Sequence, residues 1–299
     1  MKLPCSYNTF ALANNEDTMT QLTQTEKIFL EDLALIRKSR KDLDEISFLM
    51  RALNTIGTPI DSGLELLPEK IQSKISNLIQ KALQLAVKAN LKTLDKNKQN
   101  RTSSNLTYKL VTGLSGATGG FFGVAGFSAD LLISTKFMMR SIMDIARSQG
   151  EDILEIETQL ACLQVFALGG TSEDDDELDT SYYATRAALH TTMNQASSYI
   201  AENGTKKIIE TITSQTAAPI AKLINQVAAR FSVQVGEKFA AQAIPVIGAA
   251  AGASINVLFI SHFQKMATAH FTLRRLERKY SKELIKENYN LLRLDSNSA

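Results

Sequence analysis

Five residues of this 299-residue chain have types and spacings suited to chemistry: Asp130, Arg140, Asp144, His262 and His270. Asp130, Phe137 and Asp144 step by seven, which sets both carboxylates near one face of a helix. Arg140 and Asp144 form a helical i,i+4 pair. Charges on an otherwise apolar helix need partners, because desolvating them is costly. Two readings stay open. One is a buried ion network joining helices, with Arg186 or Arg275 as further members. The other is a proton or metal site. The first asks less of the residues, since structural ion pairs and functional sites both perturb charges.

His262 and His270 lie eight residues apart, about 12 Å along a helix axis at about 1.5 Å per residue. A zinc ion bonds nitrogen at about 2 Å, so one straight helix cannot bring both to a single metal. Either histidine could join Asp130 or Asp144 across helices. There is no HExxH, CxxC, GxSxG or phosphate loop, and His190 stands alone. The acidic run Glu173-Asp174-Asp175-Asp176-Glu177, with Asp179, lacks the glycine and final glutamate of an EF-hand. It reads as favourable charge at the start of the next helix. The catalytic residues stay unassigned, no metal site is assigned, and no cofactor is expected.

Helices must position these groups. Thr23-Gln24-Thr25-Glu26 reads as a capping box. Apolar residues follow at helical spacing from Ile28, and again from Ile71 to Ala86. Further helices are predicted over about 128–148 (closed by Gly150), 153–168, 182–201 and 205–230, and as one long helix from Gly252 to Leu292. Strand signals are few, so the expected fold is all-α. Residues 1–22 read as a flexible extension, 23–292 as one helical domain and 293–299 as a disordered tail.

Two uncharged stretches interrupt the charged pattern. Leu110 to Ala129 holds 20 residues and Phe239 to Gln264 holds 26. Gly113, Gly116, Gly120 and Gly123 fall on one helical face, and Gly248 and Gly252 repeat the four-residue step. Such faces let backbones approach closely. Glycine also weakens a helix by about 1 kcal/mol each relative to alanine, so these segments need a partner. The two stretches are expected to pack together, in a soluble core or against lipid. The C-terminal region places Arg274, Arg275, Arg278 and Lys279 beside Phe271, Leu273, Leu276, Tyr280, Leu284 and Ile285, as a basic amphipathic helix on anionic lipid would.

Composition narrows the class. Lysine plus arginine number 33 against 31 acidic residues, a net charge of +2 that gives no footprint for nucleic acid. Cys5 and Cys162 do not suggest a disulfide and fit a reducing compartment. The N-terminus has no hydrophobic centre of an export signal.

Four blocks in order resemble the EcsC protein family. They are Ser128–Leu132 with Met139–Ala146, Val165–Gly170 with Tyr182–Leu189, Ala241–Gly248, and His270–Tyr280. They cover roughly residues 45 to 285. The resemblance implies a membrane-associated helical protein of unestablished activity, since the family is named after a protein encoded beside an ABC transporter. Ser261 stands before His262 where the family commonly carries an acid, which weakens a metal proposal there. The leading expectation is a non-catalytic accessory protein in the cytoplasm, on the inner face of the membrane. Its expected partner is the membrane surface or a membrane protein such as an ABC transporter. The alternatives are a metal-dependent hydrolase using Asp130, Asp144, His262 and His270, and a soluble scaffold.

Overall fold

The computed structural model describes residues 24–44, 69–91, 123–168, 181–212, 217–243 and 248–296. Among these residues the chain is helical and contains no strand. The helices are α1 (Gln24–Leu43), α2 (Glu69–Leu91), α3 (Gly123–Ser148), α4 (Ile156–Gln164, continued by a 3-10 turn, Val165–Ala167), α5 (Ser181–Asn203), α6 (Thr205–Thr211), α7 (Ala218–Ala243), α8 (Gly248–Lys279) and α9 (Lys282–Ser296). The all-α expectation holds.

The chain divides into two compact units, Asp42–Phe271 and Met1–Lys41 with Thr272–Ala299. In the larger unit α2 packs on α3 and α7, α7 on α5 and the 3-10 turn, and α4 on α3 and α5. The buried stripes follow the 3.6-residue period. On α2 they are Ile75, Ile79, Leu83 and Ala86; on α7, Ile220, Leu223, Ile224, Val227 and Phe231. Phe166, Phe231, Phe259 and Phe263 form an aromatic cluster at centroid distances of 5.0 to 6.1 Å, tying the 3-10 turn, α7 and α8 together.

In the smaller unit Leu33, Ile36, Leu273, Leu276, Ile285 and Tyr289 are buried. Arg40 donates to the Tyr289 carbonyl at 2.7 Å and lies over that residue's ring. Asp32 accepts hydrogen bonds from Lys279 and from the Tyr280 hydroxyl, both at 2.6 Å.

Several helix limits differ from the sequence reading. Gly150 does close α3: its φ is 79°, its amide bonds Arg147 O, and the Glu151 amide bonds Ala146 O, a Schellman closure. The expected helix 153–168 starts three residues later, because the Leu154 amide turns back onto the Asp152 carboxylate. The expected helix 205–230 is two, α6 and α7. Pro219 has no amide and disfavours helix in the residue before it, so it fits only the first turn of a new helix. The expected single C-terminal helix is also two. Ser281 ends it by capping α9, its Oγ accepting from the Leu284 amide at 3.2 Å. α8 begins at Gly248 rather than Gly252, and α9 runs on to Ser296, beyond the expected limit at Leu292. The capping Thr23 and the acidic run 173–179 lie outside the described residues.

Candidate functional site

The most unusual chemistry in the larger unit lies where α3, α7 and α8 meet. Asp130 on α3 has a side chain only 1% exposed, and Lys238 on α7 is fully buried. Lys238 Nζ donates to Asp130 Oδ2 at 2.6 Å and reaches Ser134 Oγ at 3.4 Å. Asn256 on α8 donates its amide to Asp130 Oδ1, also at 2.6 Å. Both carboxylate oxygens are thus engaged from different helices. The ammonium lies 4.8 Å from the Phe259 ring centroid and 5.9 Å from that of Phe127. Phe127 meets Phe239 edge to face at 4.9 Å. Burial in this apolar setting pushes the Lys238 pKa below its ordinary value, against the raising influence of the Asp130 charge and hydrogen bond.

Eleven residues further along α3, Ser141 accepts from Gln264 of α8 at 2.8 Å. Asp130 and Ser141 therefore pair with Asn256 and Gln264 in the same order, and α3 and α8 run in one sense. A separate cluster surrounds His270, which is buried. The Tyr182 hydroxyl lies 3.1 Å from His270 Nδ1 and accepts from Arg186, also at 3.1 Å. Arg186 covers the rings of Tyr182 and Tyr183. His262 is buried elsewhere on α8, edge-on to Phe263 at 5.2 Å.

The residues singled out from sequence are therefore dispersed. Asp130 is in the buried node. Asp144 is part-buried and accepts from Arg147 at 2.9 Å, an i,i+3 pair rather than the i,i+4 pair expected with Arg140. Arg140 is exposed. Fourteen residues of continuous helix put Asp130 and Asp144 about 21 Å apart along the axis of α3. Among the described residues no three His, Cys, Asp or Glu side chains come together as a metal would require. Of the further arginines named from sequence, Arg186 donates to the Tyr182 hydroxyl, and Arg275 is exposed.

Gly113, Gly116 and Gly120 lie outside the described residues. Gly123 opens α3, and Gly248 and Gly252 lie in the first turns of α8. Arg274 is part-buried, whereas Arg278 and Lys279 are exposed. Phe271, Leu273, Leu276 and Ile285, read from sequence as apolar contacts for lipid, are buried inside the protein, because the amphipathic face serves the chain's own core. No described helix is long and apolar enough to cross a membrane.

A family model described as the EcsC protein family matches residues 31–276. The chain belongs to the EcsC protein family. The match begins at residue 31 rather than near 45, and ends at 276 rather than near 285. No curated protein and no solved structure matches this EcsC chain. Within its matched region, Asp130 comes from the block on α3, Tyr182 from the block on α5 and His270 from the block on α8, so three of the blocks carry buried polar groups. Lys238 is the participant that sequence reasoning missed. A signal existed: Phe231, Gln234, Val235 and Lys238 continue the buried helical stripe of α7, so the lysine occupies a core position.

Proposed function

We propose that this EcsC family chain is a non-catalytic helical accessory protein that docks on the surface of anionic membranes. The observation that carries the reading is the segregation of side chains in the smaller unit. Leu33, Ile36, Leu273, Leu276, Ile285 and Tyr289 are buried, while Arg275, Arg278, Lys282 and Lys286 on α8 and α9, and Arg37, Lys38 and Lys41 on α1, are exposed and outnumber the exposed acids Glu31, Glu283 and Glu287. Basic side chains at a charged lipid surface contribute about 1 kcal/mol each. With no described helix able to span a bilayer, the proposed contact is peripheral, on the inner face of the membrane. Work beside an ABC transport or secretion system is supported only by what the family resemblance implies.

The buried polar groups fit a structural role better than catalysis, because Asp130 spends both oxygens on internal donors. The test is flotation of the purified chain with vesicles. Binding to phosphatidylcholine vesicles containing phosphatidylglycerol, and none to phosphatidylcholine alone, is expected. Failure to float with either overturns the reading.

A further inference from the structure

The two uncharged stretches of sequence are each bounded by a charge, and these two charges find each other. Asp130 directly follows the first stretch, and Lys238 directly precedes the second. They pair at 2.6 Å, and Asn256, from within the second stretch, bonds the same carboxylate. The node lies seven residues into α3, eight into α8 and five from the end of α7. Phe127 and Phe239, one from each stretch, meet beside it. Beyond this node, residues 123–129 of α3, 239–243 of α7 and 248–255 of α8 carry no charge, and the node holds these three helix ends at one level.

We infer that Asp130, Lys238 and Asn256 form a releasable clasp, which frees the uncharged ends of α3 and α8 to enter the apolar layer of a membrane. The physical reason is the asymmetry of opening. An apolar contact that opens meets water at full hydrophobic cost. An ion pair that opens recovers the hydration both groups gave up on burial. A buried ion pair at this level therefore favours opening at these ends relative to an apolar contact of the same shape. The entry into lipid rests on the membrane reading above; the clasp itself does not.

Hydrogen exchange without lipid tests the clasp. Lys238→Met leaves the Asp130 carboxylate buried without its ammonium. It should speed exchange at the start of α3 and α8 and the end of α7 by about tenfold or more, with α4 and α5 unchanged. Asp130→Asn combined with Lys238→Met removes both charges and keeps an acceptor for Asn256. It should slow exchange at those ends below the wild-type rate. If the single variant does not fold, the double variant against wild type still decides. Equal shifts in every helix, or no slowing in the double variant, overturn the clasp.

Vesicles containing phosphatidylglycerol test the release. Wild type should resist a high-salt wash, while the double variant binds and is washed off. Equal resistance of both overturns the release. Absence of binding by either chain overturns the membrane reading and the release with it, and the exchange result then judges the clasp alone.

Discussion

Asp130, Asn256 and Lys238 show how far single residues could be read. A charge on an apolar helix needs a partner, and so does an amide in an uncharged stretch; the structure satisfies both needs at one point. The partner itself was not legible, because pairing between α3 and α7 is set by tertiary packing, which no spacing rule reports. Lys238 stands at the boundary of an uncharged run and went unnamed, although its stripe position marks it as core. Removing only the ammonium should cost about 3–5 kcal/mol, whereas Asp130→Asn with Lys238→Met should be neutral or more stable than wild type. Urea unfolding of both variants checks this. A pH dependence follows as well. The folded-state pKa of Lys238 is depressed, so the unfolded chain takes the proton first as pH falls. The stability this group contributes is present above its unfolded value, near 10.5, and is lost as pH falls through the folded pKa. Wild type should therefore gain stability relative to the double variant as pH is raised toward that value. A difference between the two chains that is flat with pH removes this account.

At the scale of elements, stripes and caps were readable and interruptions were not. Gly150 was legible because a glycine after a periodic run is the usual partner of a Schellman closure. Substituting alanine would force a side chain into positive φ, with an expected loss of about 1 kcal/mol. The break at Ser281 was hidden because α8 and α9 keep amphipathic patterns on both sides, with no glycine or proline between them. Its only mark is a serine placed to cap. Ser281→Ala should cost about 1 kcal/mol, measured by thermal unfolding, since the Leu284 amide loses its acceptor. A substitution without effect would mean that packing around Ile285 and Tyr289, both buried, holds α9 without the cap.

For the whole molecule, the near-zero net charge conceals an uneven distribution. Residues 24–41 and 272–296 carry 12 basic and 7 acidic residues, so the rest of the chain holds 21 of the 33 basic residues against 24 of the 31 acidic ones. Whole-chain composition therefore argued against polyanion partners while a local basic face remained. The all-α class and the family were legible because helical periodicity and four ordered blocks are properties of the sequence itself. The use of the C-terminal apolar face was not, since the same amphipathic pattern serves lipid or a protein core. The structure buries that face, which leaves charge as the means of docking. Replacing Arg275, Arg278, Lys282 and Lys286 together by glutamine should therefore weaken binding to anionic vesicles by about two to three orders of magnitude at low salt. Because all four are exposed, stability should change by less than about 0.5 kcal/mol for each substitution. Raising ionic strength before the chain meets the vesicles should weaken this first docking in the same direction, as screening shortens the reach of exposed charges; a salt wash applied afterwards acts on chain that has already entered the lipid. Vesicle affinities that ignore both the substitutions and the salt would place the contact on another face of the molecule.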